Sequence, residues 1–169
     1  MEPSARRAKV VVLATGGTIA STRGDRAHSH DYEVTQGGQA LLQAVPRAQE
    51  WADLECVDLF SVPSHDIGWE QWVLMRSAVQ ARLDDPEVDG VVLTHGTDSL
   101  EETAYFLGLT VRSPKPIVLT GAMRPSDHAS PDGPSNLLGA IAVASSPQAH
   151  GKGALVVMGD SIYDARTCS

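Results

Sequence analysis

The sequence has few cysteines, few basic residues and no long hydrophobic run, and each shortage excludes a class of protein. Its two cysteines, Cys56 and Cys168, follow no pattern, which argues against a disulfide framework and favours a reducing compartment. The 13 basic residues stand against 21 acidic ones, and a net charge of −8 disfavours nucleic acid or an anionic membrane as a partner. No segment approaches the roughly 20 apolar residues of a membrane span, and the N-terminus lacks the apolar region of a signal peptide. We therefore expect a soluble, cytoplasmic protein.

Patterns for binding metal ions are also missing from the sequence. No cluster of cysteine and histidine has the spacing of a zinc site, and no acidic string has the spacing of a calcium loop. His28 and His30 lie in a polar stretch, where solvation is the simpler interpretation. The sequence thus predicts no metal and no organic cofactor.

What the chain does contain is a regular alternation of apolar strands and helices. A length of 169 residues with 42% apolar residues suits one domain with a real core. Continuous apolar runs predict five strands that are covered on both faces: 9–14, 54–60, 90–93, 116–119 and 154–158. Apolar periodicity predicts helices between them, at 39–45, 72–83, after Asp98 and around 138–142. The alternation implies an α/β fold: a doubly wound, mostly parallel sheet with helices on both faces, in three layers.

Local signals mark some boundaries of these elements. Ser99 and Glu102 have the spacing of a capping box, and Ser135 or Asn136 can cap the helix around 138–142. We expect a disordered N-terminus over 1–8, and residues 21–37 have the polar, glycine-containing composition of a mobile loop.

Two strands end in similar glycine-containing turns, and each turn presents a threonine. The segments are 11–20 (VVLATGGTIA), which presents Thr18, and 91–98 (VVLTHGTD), which presents Thr97. Open α/β sheets bind ligands at such strand ends, so two hydroxyl nucleophile candidates indicate a small-molecule hydrolase. A phosphate cradle is the alternative, but the lysine of a P-loop and the GxGxxG spacing are missing. Thr18 taken alone also fits a simple helix cap.

Polar residues that follow two of the predicted strands suggest how a ligand is held. Asp98 can cap the following helix and can also bind a substrate ammonium group, and the two roles are compatible. Ser64, His65 and Asp66 are adjacent, so they cannot form a catalytic triad, whose side chains converge from separate segments. Hydrogen bonding of Ser64 and His65 to a ligand carboxylate is the plainer hypothesis.

Four segments together resemble a known family. Segments 14–20 (ATGGTIA) and 94–105 (THGTDSLEETAY) resemble the two signature segments of bacterial-type L-asparaginases. Segments 121–125 (GAMRP) and 130–137 (SPDGPSNL) are similar to further parts of the same family pattern. The similarity runs in order, with matching spacing, and implies the N-terminal catalytic domain of that family over residues 9–166.

The resemblance implies a reaction and a catalytic set. Thr18 matches the primary nucleophile, which attacks the side-chain amide carbon of L-asparagine and forms an acyl-enzyme. Tyr32 matches the tyrosine that closes over the substrate, Thr97 the second catalytic threonine, and Asp98 the carboxylate that holds the α-ammonium group. The implied products are L-aspartate and ammonia, and the family implies a homo-oligomer.

The resemblance also implies a substrate-binding set. Ser64 matches a binder of the substrate α-carboxylate, and the backbone carbonyl of Ala122 matches a contact near the substrate amide. The full set consists of Gly17, Ser64, His65, Gly96, Thr97, Asp98 and Ala122.

The sequence departs from the family pattern in two ways. His65 stands where many relatives carry glutamine, which puts the preference between asparagine and glutamine in question. The family places a catalytic lysine four residues after the arginine that matches Arg166, whereas here 167–169 diverge and end before that position. From this we expect a truncated chain without the family's C-terminal domain and with impaired activity.

Three functions stay open at this stage. The first is an asparaginase-type amidohydrolase. The second is a non-catalytic fragment that folds and binds a small amino acid. The third is a related amidase that acts on glutamine or on an amidated tRNA, against which the net acidity of the chain argues.

Overall fold

Parallel strands at the centre of the fold carry the residues of interest at their carboxyl ends. The computed structural model describes residues 6–22, 33–34 and 37–168. Its strands are β1 (Ala8–Ala14), β2 (Ser21–Thr22), β3 (Glu33–Val34), β4 (Ala52–Asp58), β5 (Gly90–Thr94), β6 (Ile117–Thr120), β7 (Ala154–Met158) and β8 (Ser161–Asp164). Its α-helices are α1 (Gly38–Gln43), α2 (Trp69–Asp84), α3 (Leu100–Thr110) and α4 (Gly133–Ala144).

The main sheet has six strands in the order β4-β1-β5-β6-β7-β8. The first five are parallel, and β8 pairs antiparallel with β7 at the edge. From β1 the chain proceeds to β4 on one side and afterwards to β5 on the other side. The order of the strands therefore reverses between β1 and β5, and such a switch point is where open α/β sheets place their ligands.

Alternating side chains of the sheet belong to two separate hydrophobic cores, one on each face. Val10, Val12 and Val92 point to the face covered by α1 and α4. Val11 and Leu93 point to the opposite face, which α2 and α3 cover. All five of these side chains are fully buried, so the prediction of a mostly parallel sheet between two helical layers is confirmed.

The predicted boundaries need several corrections. The second predicted strand, 54–60, begins and ends two residues earlier as β4, although Leu59 N still donates to Ala14 O at 2.9 Å. The helix predicted around 138–142 begins already at Gly133, after Asp132, so that Ser135 and Asn136 lie inside it and do not cap it. The short antiparallel β8 was not predicted.

The segments predicted to be a disordered N-terminus and a mobile loop both contain ordered contacts. Within the N-terminal segment expected to be disordered, Arg6 pairs with Asp89 at 2.9 Å, and β1 begins at Ala8. Within the expected mobile loop 21–37, β2 pairs antiparallel with β3, which corrects that prediction for the described part of the loop. None of the helices in the described ranges has the length and apolar character needed to cross a membrane.

Candidate functional site

Four loops lie together at the carboxyl edge of the sheet. They follow four neighbouring strands: 15–18 after β1, 59–66 after β4, 95–98 after β5 and 121–124 after β6. Since parallel strands point the same way, their carboxyl ends meet at one edge. The loops that carry Thr18, Ser64, Thr97 and Ala122 therefore lie at one edge of the sheet and make up the candidate site.

Glycines allow three of these loops to touch. Gly17 has φ +83°, and a Cβ atom there would lie 2.4 Å from the backbone nitrogen of Gly96. A Cβ atom on Gly96 would lie 2.5 Å from Ser64 Oγ, far inside van der Waals contact. The loops after β1, β4 and β5 are thus locked to one another through positions that have no room for a side chain.

Ser64 and Asp98 form a reciprocal pair across two of the loops. Ser64 Oγ donates to Asp98 Oδ2 and accepts from the Asp98 backbone N–H, both at 3.1 Å. Ser99 Oγ donates to the Ser64 carbonyl at 2.7 Å, so Ser99 holds the loop after β4 and does not form the predicted capping hydrogen bond. Ser64 is 3% exposed, whereas the Asp98 side chain is 66% exposed. The pair therefore presents a fixed carboxylate to an incoming cation.

His65 lies beside that carboxylate on the outer side of the site. Its Nδ1 is 3.5 Å from Asp98 Oδ2, and its Nε2 is 3.9 Å from Asp66 Oδ1. The imidazole is two-thirds exposed, so it can donate a hydrogen bond to a bound molecule. Ser64 Oγ is engaged with Asp98, and the adjacent serine, histidine and aspartate form no catalytic triad, as expected.

The two candidate threonines begin short 3₁₀ turns. Thr18 starts the turn Thr18–Ala20, and Thr97 starts the turn Thr97–Ser99. Both are partly exposed, and within the described ranges neither hydroxyl has a hydrogen-bond partner. Both hydroxyls are consequently free to meet a ligand. Tyr32, the third predicted catalytic residue, lies outside the described residues.

The loop that contains Ala122 is held on both sides. Asn136 Nδ2 donates to the Gly121 carbonyl at 3.0 Å, and the Asp132 carboxylate accepts from the Met123 and Arg124 backbone N–H groups at 3.0 and 2.8 Å. Burial alone raises the pKa of Asp132, but these hydrogen bonds and the Arg124 guanidinium outweigh it, and the pKa lies below its usual value. Ala122 itself is 0% exposed, so its backbone carbonyl has no solvent-exposed surface, and its contact with a substrate amide stays a prediction.

Within the described part of the chain, no group of three or more histidine, cysteine, aspartate or glutamate side chains can hold a metal ion. The polar groups that the four loops contain are hydroxyls, a carboxylate, an imidazole and backbone amides.

Comparison with known proteins matches a family model to the segment that contains these loops. The family model described as "Asparaginase, N-terminal" matches residues 9–169. The chain belongs to the asparaginase family.

Several relatives of this asparaginase-family chain are substantially longer. L-asparaginase 2 of Bacillus subtilis (strain 168) is 45% identical over 156 residues, which are 92% of this chain and 42% of the relative. Glutaminase-asparaginase of Acinetobacter glutaminasificans is 44% identical over 158 residues, 93% of this chain and 48% of the relative. The chain thus spans about half the length of the curated relatives it matches.

A solved structure agrees with the asparaginase fold. The probable cytoplasmic L-asparaginase from Campylobacter jejuni superposes with a TM-score of 0.88 at 38% identity, covering 95% of this chain and 48% of that chain. The α/β sheet and its helical layers are therefore those of the N-terminal part of the family.

Sequence reasoning missed the residues that support the site from behind. Asp132 and Asn136, which hold the Ala122 loop, lie within the segment SPDGPSNL, which was singled out for its likeness to the family and for a helix cap at Ser135 or Asn136, not for support of that loop. His95 is 0% exposed, and its ring contacts the Gly96 carbonyl and Thr103. Its place in the segment THGTD was the only signal in the sequence that pointed to His95, because a partner on a helix, such as Thr103 on α3, is not visible in sequence.

Proposed function

We propose that this site hydrolyses the side-chain amide of L-asparagine to L-aspartate and ammonia, with Thr18 as the nucleophile. The observation that carries the proposal is the contact of the Thr18, Ser64 and Thr97 loops through Gly17 and Gly96. That contact places an unpaired hydroxyl and a fixed carboxylate on the same edge of the sheet. The relatives named L-asparaginase support the choice of substrate.

Binding begins at the Ser64–Asp98 pair in this proposal. The α-ammonium group of asparagine binds the exposed carboxylate of Asp98, while its α-carboxylate accepts the hydrogen bond that Ser64 Oγ donates to Asp98 in the free site. Ser64 has one hydroxyl hydrogen to donate, so redirecting that hydrogen bond from Asp98 to the substrate frees Asp98 Oδ2 for the ammonium group. His65 is close enough to Asp98 to add a second donor to the α-carboxylate.

The chemistry then proceeds at the two threonines. Thr18 Oγ1 forms a bond to the amide carbon, the C–N bond breaks, and the hydroxyl proton leaves with the nitrogen as ammonia. Water then attacks the acyl-enzyme, one of its protons returns to Thr18 Oγ1, and L-aspartate is released. Thr97, beside Asp98, is proposed to pass the proton between these groups, and Tyr32 to close over the substrate.

The test is ammonia release from L-asparagine by the purified 169-residue chain and its Thr18→Ala variant. We expect at least about a 100-fold loss of turnover in Thr18→Ala, because the acyl-enzyme cannot form. Thr110→Val, at the far end of α3, is the matched control and should retain turnover. L-aspartate binding measured by calorimetry separates loss of chemistry from loss of the site. Equal turnover in Thr18→Ala and the wild type would refute the assignment of the nucleophile.

Two outcomes favour other functions. Binding of L-aspartate by the wild type without turnover supports a non-catalytic amino-acid-binding domain. Faster turnover of L-glutamine supports the glutamine-directed alternative, to which the name of the Acinetobacter relative points.

Location and assembly remain proposals as well. We infer a cytoplasmic protein whose small-molecule partner is L-asparagine, and we expect the homo-oligomer of full-length members of the family only where their whole length is present. The Campylobacter protein is described as cytoplasmic, whereas a relative from Haemophilus influenzae (strain ATCC 51907 / DSM 11121 / KW20 / Rd) is described as periplasmic. Cell fractionation and light scattering on the purified protein decide both points.

A further inference from the structure

A buried histidine directly behind the site takes no part in the proposed chemistry. His95 follows β5 and is 0% exposed. Its Nδ1 lies 2.7 Å from the Gly96 carbonyl oxygen, and its Nε2 lies 3.0 Å from Thr103 Oγ1 on α3. Thr103 Oγ1 in turn accepts from Trp72 Nε1 on α2 at 3.0 Å. One hydrogen-bonded chain therefore runs from the two helices to the loop that carries Thr97.

The partners fix the direction of every hydrogen bond in this chain. A carbonyl only accepts, so the proton of the neutral ring lies on His95 Nδ1, and Nε2 is an acceptor. The Thr103 hydroxyl then donates to Nε2, and its oxygen receives the indole N–H of Trp72. Each donor and acceptor is used once, and the imidazole is in its Nδ1–H form.

The last bond in the chain orients one peptide group of the site. The C=O and N–H of a trans peptide point in opposite directions. Because His95 draws the Gly96 carbonyl toward the interior, the Thr97 N–H points away from the interior. Gly96 also lies tightly between Gly17 and Ser64, so a rotation of this peptide displaces its neighbours.

We propose that His95 is a positioning residue, which sets the plane of the Gly96–Thr97 peptide through its Nδ1–H and is itself held by Thr103 and Trp72. Its effect on turnover rests on the proposed function, since it acts through Thr97 and Asp98. Burial lowers the pKa of His95, against the opposing effects of its hydrogen bond to Gly96 and the charge of Glu102. This direction agrees with a neutral ring.

Two substitutions of His95 separate its two hydrogen bonds, because each keeps one of them and removes the other. In His95→Asn the side-chain amide lies near the position of Nδ1 and keeps a donor for Gly96, but it does not reach Thr103. In His95→Gln the amide lies near the position of Nε2 and keeps an acceptor for Thr103, but Gly96 loses its donor. Both variants lose ring volume and are expected to lose stability, so stability alone cannot explain a difference between them.

The activity test compares kcat and KM of these two variants with the wild type. His95→Gln should lose about 10- to 100-fold in kcat with KM changed less, and His95→Asn should recover most of that loss, because small misplacements in a site are costly. Leu107→Val, a substitution at a buried position of α3 that takes no part in the hydrogen bonds of His95, Thr103 and Trp72, controls for lost stability. Equal kcat in the two histidine variants would overturn the proposal.

A nuclear magnetic resonance test is independent of turnover. The ring ¹⁵N shifts of His95 should report the Nδ1–H form, and the backbone amide signals of Gly96 and Thr97 should move more in His95→Gln than in His95→Asn. A ring protonated on Nε2, or amide signals that move equally, would refute the proposal. If the wild type neither turns over nor binds L-aspartate, the proposed function fails, while these signals still decide the role of His95 in the loop.

Discussion

Replacing Gly96 with alanine tests the packing that brings the site together. Gly96 has φ −77° and ψ 154°, a conformation that alanine adopts freely, so any cost is steric. The added Cβ would lie 2.5 Å from Ser64 Oγ and 2.7 Å from Ser64 Cβ. Since ordinary contacts between such atoms begin near about 3.5 Å, Ser64 must move by roughly 1 Å.

That movement separates the Ser64–Asp98 pair. Both of its hydrogen bonds are 3.1 Å long and would exceed hydrogen-bonding distance. Loss of the pair together with the strain of overpacking should lower the free energy of unfolding by about 2–4 kcal/mol. For a chain of this length that corresponds to a fall of roughly 6–12 °C in the melting temperature.

The assay is urea unfolding followed by circular dichroism, together with calorimetry of L-aspartate binding. The control is Gly108→Ala in α3, where the added Cβ meets Ala154 Cβ at an ordinary 3.5 Å. Alanine in a helix should raise the stability of the control by about 0.5–1 kcal/mol. If Gly96→Ala unfolds within about 0.5 kcal/mol of the wild type and binds equally well, then this packing does not hold the site.

Three further predictions concern single side chains. Thr94→Val should raise the free energy of unfolding by about 1 kcal/mol in urea titrations, because Thr94 Oγ1 is the one buried side-chain polar atom without a partner among the described residues. Asp132→Asn should remove a contribution to the free energy of unfolding that the wild type has above pH 3.8 and loses as the pH falls through the lowered pKa of Asp132. If the unfolding midpoints of both proteins change alike across that pH range, the prediction is wrong. His65→Ala should weaken L-aspartate binding by about 3- to 10-fold, because the imidazole, 3.5 Å from Asp98 Oδ2, is the proposed second donor to the α-carboxylate of the ligand, and His65→Gln, which keeps a donor, should retain most of the affinity; equal calorimetric affinities of His65→Ala and the wild type would refute that role.

Part of the architecture follows from local residue patterns. The apolar runs at 9–14, 90–93 and 154–158 agree with β1, β5 and β7 within a residue or two, because strands buried on both faces need apolar side chains at every position. The end of β4 was harder to predict, since Leu59 and Phe60 are apolar but follow the strand, which ends at Asp58. The edge strand β8 escaped prediction because its exposed residues share no apolar run.

The candidate site divides in the same way. Its glycines, threonines and Asp98 stand out in sequence because a strand end, a tight turn and a hydroxyl are all local features. The partner of each side chain is not local. Ser99 has the spacing of a capping residue, yet its hydroxyl donates to Ser64, 35 residues away, which the capping pattern cannot reveal.

The sequence by itself determined the layered α/β class, the strand ends that carry Thr18 and Thr97, and the similarity to the asparaginase family. Only the tertiary structure decided that Ser64 holds Asp98 and that His95 lies buried behind Gly96. The physical reason is that hydrogen bonds and steric contacts depend on distances in space. Strand order sets those distances here, by bringing the ends of β1, β4 and β5 side by side although they lie far apart along the chain.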